Sequence, residues 1–561
     1  MPAAPAMSDN RGVDMCSIRS FAAWLLLAAG AAAQSAPNPA VDRIFARWDR
    51  GDSPGCALAV MREGHIVYSR GYGMADLDHD IPIAPSSVFH VASISKEFTA
   101  ASILLLAEEG KLSIDDDVRK YIPELPDFGP RITLRHLLHH TSGLRDQWAL
   151  LVLAGWRLNQ DLITDQDVLE VLSRQKALNF TPGDEYLYSN SGYTLLALIV
   201  ERVSGQSLRQ FAQARIFQPL GMTHTFFRNN HAEVVKSQAY GYYPAAGRQW
   251  ELRIPNFDTT GATSLLTTVE DFARWDANFE QPRVGAKILG TMQVRGRLNS
   301  GEEIDYGFGL TPGTYRGLPT IGHGGSDAGY RADYVRFPGQ HFGVICMCNA
   351  GPVVPHDLTR QVAEIYLGDQ MAPAEKPAPP AGSTASPPPG VTGIYYDRQR
   401  GEIRRIVLRN GRLQLYSPGP LYEDLAAESP AVLDILDPAG IAGKLDIAGA
   451  RITESRPGAK PVEYERKTEF TPRLEEFVGT YRSDEFDLPY QLALQDHKLW
   501  LKRLRWAPAQ LTPTIQDGFL VLVGNGEAHL EFQRDAQGKV SGFLLNAGRV
   551  RHVRFRLAPQ S

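Results

Sequence analysis

The chain has little cysteine. Four residues among 561 are Cys16, Cys56, Cys346 and Cys348. So few exclude a disulfide-rich scaffold, and no further cysteine pair exists to complete a tetrahedral zinc site. Excess basic charge is missing as well. Lys and Arg number 58 against 63 Asp and Glu, for a formal net charge of −5. With no long basic stripe, nucleic acid is not an expected partner. A long apolar run is also lacking. "FAAWLLLAAGAAA" (21–33) falls short of the about 20 residues that span a bilayer. It reads as the core of an export signal over 1–33, with Ala31 and Ala33 as the A-x-A cleavage site before Gln34. The leader carries Asp9 and Asp14 against Arg11 and Arg19, whereas a start at Met15 would leave the expected positive n-region. Cys16 precedes the apolar run and so is not a lipid-attachment cysteine. The expected mature protein is secreted, periplasmic and without an integral span. The three cysteines left are odd in number, which argues against a disulfide framework. Cys346 and Cys348 alternate in "FGVICMCNA" and are expected to be small core residues of a buried strand.

What is present is globular. Hydrophobic residues make up 43% of the chain and charged residues 22%, enough for a sizeable core spread over two to four domains. The clearest boundary is "MAPAEKPAPPAGSTASPPPG" (371–390), an extended proline-rich linker. Before it lies a unit at 36–370. After it the sequence repeats. Gly393-Ile394-Tyr395 matches Gly479-Thr480-Tyr481, and "LRNGRLQLY" (408–416) matches "LQDHKLWLK" (494–502) at the same offset. Both segments alternate apolar and polar residues, and Asn410-Gly411 is a two-residue hairpin signal. Two small antiparallel β-barrel-like domains are expected, at 391–467 and 472–561.

The 36–370 unit mixes elements. "GCALAVMREGHIVYSRGYG" (55–73) reads as strand, turn, strand, and 93–109 as a helix ended by Gly110. Helical segments follow at "RITLRHLLHHTSGL" (131–144) and "SGYTLLALIVERVSG" (191–205). Strands return at "LPTIGHGG", "YRADYVRFP" and "HFGVICMCNA". This order predicts an α+β fold, with the first hairpin joining the late strands in one five-stranded antiparallel sheet beside an all-helical subdomain.

Three short motifs carry chemistry. In "HVASISKEFTA" (90–100), Ser93 and Lys96 stand three residues apart at the start of the helix and share a face. A serine hydroxyl needs a base, and a lysine serves if burial or nearby positive charge lowers its pKa. In "YLYSNSGY" (186–193), Tyr188 can shuttle a proton if a nearby ammonium depresses its pKa. Asn190 offers a donor and an acceptor to a substrate amide. In "GHGGSDAGY" (322–330), glycines let a substrate approach the backbone, and His323 can add a positive or hydrogen-bonding group. Each motif alone also fits a structural role.

Together and in this order, Ser-x-x-Lys, Tyr-x-Asn and His-Gly-Gly resemble the serine β-lactamase-like superfamily, in its class C and D-Ala-D-Ala carboxypeptidase branch. "TPGDEYLYSNSGYTLLALIVERVSG", "PLGMTHT" and "YGFGL" are similar to further segments of that branch. The resemblance implies Ser93 as the acylated nucleophile, Lys96 as the group that takes or relays its proton, and Tyr188 as partner base and acid. It implies Asn190 as a substrate-amide ligand, and the N–H groups of Ser93 and Ser326, the residue after Gly325, as the oxyanion hole. His323 stands where many members carry lysine. That departure weakens a dedicated β-lactamase and resembles some peptidases and D-aminopeptidases. The C-terminal half is more faintly similar to the paired barrels of D-aminopeptidases, one of which reaches toward the cleft in that family. The implied activity is a metal- and cofactor-free serine hydrolase for D-amino-acid peptides. A carboxylesterase, a weak β-lactamase and a non-turnover cell-wall peptide-binding protein are the alternatives. Expected partners are small peptide, ester or β-lactam substrates, with possible cell-wall contact through the barrels and no assigned oligomeric state.

Three competing signals remain. "GDSPG" (51–55) is a literal G-x-S-x-G around Ser53, but a strand follows where the nucleophile elbow needs a helix. His136, His139 and His140 have i, i+3, i+4 spacing without the H-E-x-x-H of a zinc site, and are expected to be structural. Ser8-Asp9-Asn10 matches a class A motif by chance.

Overall fold

The computed structural model describes residues 37–245, 248–373, 389–417, 421–437, 440–456, 460–468, 470–524 and 526–559. The expected export signal, the Met15 start and Ser8-Asp9-Asn10 lie outside these residues, as does most of the proline-rich linker. Among the described residues no helix is long and apolar enough to cross a membrane.

The sheet strands are β1 (Cys56–Arg62), β2 (His65–Tyr72), β3 (Gly313–Tyr315), β4 (Leu318–Asp327), β5 (Tyr330–Phe337) and β6 (Phe342–Cys348). They stand in the order β3-β4-β5-β6-β1-β2, antiparallel throughout. The five expected strands are there, and β3 adds a short sixth at the edge. Both faces are covered, so β1 is buried along most of its length. Ala57, Ala59 and Met61 face the large core that contains Phe98. Leu58 and Val60 alternate to the other face, against Val41, Phe45, Leu358 and Val362 of the two helices Pro39–Phe45 and Pro355–Leu367.

Cys56 and Cys348 face each other in register across β1 and β6 and form a disulfide. This corrects the expectation drawn from an odd cysteine count. The sequence separation of 292 residues hides a pairing that only the closed sheet creates. Cys346 is free and buried, its sulfur 3.5 Å from that of Cys348.

Helix α1 (Ser95–Glu108) is buried on every side from Ser95 to Leu106, as expected for a helix in the middle of a large core. Around it lie the helices of the helical subdomain, among them α2 (Gln147–Leu153) and α3 (Asn190–Ser204), the latter ended by Gly205 in the left-handed region.

Strands from Gly393 to Lys467 close into an eight-stranded barrel. Strands from Gly479 to Leu557 form a nine-stranded, nearly closed antiparallel sheet. The internal repeat has a physical basis. The Tyr395 and Tyr481 hydroxyls donate to the carbonyls four residues earlier, Val391 at 2.8 Å and Phe477 at 2.9 Å. The hairpin tips Asn410-Gly411 and Asp496-His497 all have positive φ, the geometry of a tight two-residue turn.

Candidate active site

Ser93 sits in a single 3-10 turn, Ala92–Ile94, that leads into α1. The sequence reading placed it in the α-helix itself. The turn is set by tertiary contacts. Ala92 has φ +49, which is costly for a residue with a Cβ. Ser95 holds the turn by donating to the Ala92 carbonyl at 2.5 Å and accepting the Leu265 N–H at 3.0 Å. Residues three apart eclipse in this geometry, so Lys96 still lies against Ser93. Its Nζ is 3.1 Å from Ser93 Oγ, 2.9 Å from Asn190 Oδ1 and 2.7 Å from the Ala262 carbonyl. Lys96 is wholly buried, while Ser93 is partly open to the cavity. Burial, then the Arg549 guanidinium, push the Lys96 pKa well below its usual value, outweighing the opposing pull of Asp146 and Asp327.

Tyr188 precedes α3 in an extended stretch held by His140. The His140 carbonyl accepts from Leu187 N–H at 3.0 Å, and its Nδ1 accepts from Ser189 N–H at 3.1 Å. Tyr188 packs on His140 with ring centres 4.2 Å apart, and the Lys96 ammonium position lies 4.8 Å from its ring centre. Its hydroxyl has no hydrogen-bond partner among the described residues, although Ser93 is near enough to favour its ionised form. Burial dominates and raises the Tyr188 pKa. The condition named from the sequence, a nearby ammonium that depresses it, is not met, because burial outweighs the lowering pull of Ser93 and Arg549. Asn190 opens α3. Its N–H and Nδ2 both donate to Asp146 Oδ2 at 2.9 Å, which leaves Oδ1 for Lys96. Asp146 also caps α2. The sequence reading did not single it out, since nothing local marks it beyond a helix cap.

β4 brings the third motif to the Ser93 turn. A Cβ on Gly325 would lie 2.2 Å from the Val91 carbonyl oxygen, so only glycine lets strand and turn meet. Ser326 follows it, exposed and lining the same cavity as Ser93. His323 is buried, its Nδ1 2.6 Å from the Gly324 carbonyl and its Nε2 3.0 Å from the Tyr306 hydroxyl. Burial, then Lys96, lower its pKa to about 4. The imidazole is therefore neutral near pH 7 and braces Tyr306. It does not supply the positive group considered from the sequence.

The cavity in front of Ser93 holds about 690 Å³. Trp148, Tyr243 and Phe257 form its apolar part. Arg549 reaches it from the last domain, at the tip of the hairpin Val540–Ala547/Val550–Leu557. Its guanidinium donates to the Tyr188 carbonyl at 3.2 Å, lies 3.4 Å from Asp146 Oδ2 and stacks over the Tyr188 ring at 5.4 Å. Asn179 pins the tip, donating to the Arg549 carbonyl at 2.9 Å and accepting Arg551 N–H at 2.8 Å. No sequence motif marks Arg549, which lies 361 residues beyond Tyr188.

The competing signals resolve into structural roles. Ser53 is buried and donates to the Pro54 carbonyl at 2.8 Å. His136 belongs to the capping box of its own helix, and His139 packs on Phe308 at 4.2 Å. His140 is structural but lies directly under Tyr188. Among the described residues, the one group with metal-ligand spacing is Cys56, Cys346 and Cys348, and its first and last members are spent in the disulfide.

Comparison with known proteins agrees with this arrangement. The chain is 27% identical over 443 residues to a D-aminopeptidase of Gluconobacter oxydans (strain 621H), covering 78% of this chain and 81% of that one. It is 30% identical over 390 residues to penicillin-binding protein 4* of Bacillus subtilis (strain 168), covering 65% and 84%. The structure resembles the octameric penicillin-binding protein homologue from Pyrococcus abyssi with a TM-score of 0.53 at 22% identity, over 73% of this chain and 96% of that one. The Beta-lactamase family model matches residues 41–367, more than half the chain and the whole of the site except Arg549, so the protein belongs to that family and is a serine hydrolase.

Proposed function

We propose that the protein is a D-stereospecific peptidase or amidase acting through an acyl-enzyme on Ser93. The observation that carries this reading is the wholly buried Lys96 amine 3.1 Å from Ser93 Oγ. As a neutral amine, Lys96 donates its two N–H groups to Asn190 and Ala262 and turns its lone pair to the Ser93 hydroxyl. Ser93 Oγ then attacks the substrate carbonyl carbon while its proton passes to Lys96. The developing oxyanion is placed at the backbone N–H groups of Ser93 and Ser326. Tyr188, a neutral phenol between lysine and cavity, relays the proton to the departing amine. Water releases the acyl group by the reverse path. The D-aminopeptidase likeness supports the substrate class. The neutral His323 supports a peptidase over a β-lactamase that must hold a carboxylate at that place. The disulfide supports an exported, periplasmic protein, since such bonds persist in oxidising compartments.

The test is turnover of D-alanine p-nitroanilide, its L isomer, a short-chain p-nitrophenyl ester and nitrocefin by the wild type and Ser93→Ala. Hydrolysis of the D anilide alone, lost in Ser93→Ala, is expected. Ester turnover without anilide turnover would make it a carboxylesterase. Acylation without release would make it a binding protein.

A further inference from the structure

Asn349 follows β6 directly, one residue beyond the disulfide, and is wholly buried. A buried amide is costly unless its hydrogen bonds are made. Its N–H donates to the Gly55 carbonyl at 3.0 Å, which continues the β1–β6 ladder. The return bond of that rung does not use the Asn349 carbonyl. Gly55 N–H donates instead to the side-chain Oδ1 at 2.8 Å. The side chain thus stands in for the backbone, and the freed Asn349 carbonyl accepts Tyr242 N–H at 2.8 Å. Nδ2 donates to the carbonyls of Met74 at 3.0 Å and Tyr240 at 2.9 Å. Two residues on, Gly351 N–H donates to the Tyr242 carbonyl at 2.9 Å. A Cβ on Gly351 would lie 2.0 Å from Tyr243 Cδ2, so the Tyr243 ring rests on bare backbone. The hairpin that starts here, Tyr242–Ala245/Arg248–Leu252, carries Tyr243 into the wall of the cavity in front of Ser93.

We propose that Asn349 and Gly351 are positioning residues: together they seat Tyr243, and Tyr243 receives an apolar ring of the substrate. A plain strand end would spend the Asn349 carbonyl on Gly55 and leave the hairpin without this anchor. Tyr243 is 42% exposed and lines the cavity, so a ring laid on it removes apolar surface from water. Asn349 and Gly351 do not line the cavity themselves. Their loss should therefore act on KM rather than on kcat. The choice of substrates rests on the peptidase reading, but the seat itself does not. The ring has two possible places, the leaving group or the acyl side chain.

Three substrates separate the two places. D-alanine p-nitroanilide has its ring on the leaving group, D-phenylalaninamide has it on the acyl side, and D-alaninamide has none. Asn349→Asp keeps the acceptor for Gly55 N–H and loses the Nδ2 donors. Gly351→Ala keeps the Asn349 side chain and pushes the Tyr243 ring off its seat. In each full-length variant, KM for a ring-bearing substrate is expected to rise about tenfold, the scale of a lost aromatic contact. kcat and the KM of D-alaninamide should not change. The substrate that shows the rise names the place of the ring. Tyr243→Ala should show the same rise, and adding Asn349→Asp to it should bring no more. Unchanged KM for both ring-bearing substrates in folded Gly351→Ala overturns the proposal, even where Asn349→Asp fails to fold. So does an equal rise for D-alaninamide, or full additivity with Tyr243→Ala. If only esters are turned over, p-nitrophenyl butyrate and ethyl butyrate replace the amides. A KM effect confined to the ring-bearing ester then keeps the seat and rejects the peptidase reading, and none overturns the seat.

Discussion

Lys96 and Glu97 are neighbours on one buried helix, and burial moves each toward its neutral form. For Lys96 that is the form a base requires. Lys96→Met should lower kcat/KM by about 10²–10⁴, the usual contribution of a positioned general base, while Ser93 and the fold remain. Steady-state kinetics with a D-amino-acid anilide would check it, and a loss below tenfold would move the base role to another group. Glu97 accepts from Trp275 Nε1 at 2.8 Å, and burial raises its pKa from 4.5 to about 8. Below pH 4.5 it is protonated in folded and unfolded chains alike. From 4.5 to 8 only the unfolded chain gives up the proton, so this residue destabilises the fold increasingly as pH rises, and the effect levels off above 8. Glu97→Gln keeps the acceptor for Trp275 and cannot ionise. Its stability advantage over wild type should grow across that window, as read by urea unfolding at pH 5, 7 and 8.5.

At the scale of elements, the residues lining the candidate site belong to a turn, a helix start, a strand and a hairpin tip that arrive from four parts of the chain. The last of these tunes the first. Arg549 lowers the Lys96 pKa, whereas Asp146 raises it. The acid limb of kcat/KM reports the pH at which Lys96 becomes neutral. Arg549→Met should therefore move that limb to higher pH, while Arg549→Lys keeps the charge and should move it less. Asp146→Asn should move the limb the other way, because it removes a negative charge while keeping an oxygen for the α2 cap. A pH–rate profile of the three variants tests the pair, and shifts in the same direction for Arg549→Met and Asp146→Asn would refute the electrostatic coupling.

For the whole molecule, the last domain is fixed to the helical subdomain by buried polar contacts. Arg145 donates to Gln175 Oε1 at 2.9 Å and to the Arg551 carbonyl at 2.7 Å, and pairs with Glu485. Both side chains of that pair are at most 5% exposed. Tyr490 donates to the Leu153 carbonyl at 2.9 Å in the same seam. Glu485→Ala would leave a buried guanidinium without its anion, at a cost of about 3–5 kcal/mol. Denaturant unfolding should show this loss, together with lower activity because the Arg549 tip loses its support. A change below about 1 kcal/mol would mean that water reaches the pair.

That Ser93, Lys96, Tyr188 and Asn190 lie together, and that two β domains end the chain, was legible in the sequence. Each is marked by local spacing: i, i+3 for Ser93 and Lys96, alternation and Asn-Gly for the hairpins. That the first hairpin joins the late strands in one antiparallel sheet was legible too, apart from the three-residue β3, too short to show a pattern. What lay beyond reach depends on contacts between distant segments. Cys56 and Cys348 pair only because β1 and β6 lie side by side. His323 and Tyr188 take their protonation from burial, which no spacing reports. Asp146, Arg331 and Arg549 reach the cavity through the packing of separate elements. By itself the sequence determined the family and the candidate site around Ser93, since both reside in short contiguous motifs. Only the tertiary structure decided the charge of the cavity, because that charge is the sum of residues that the fold alone brings together.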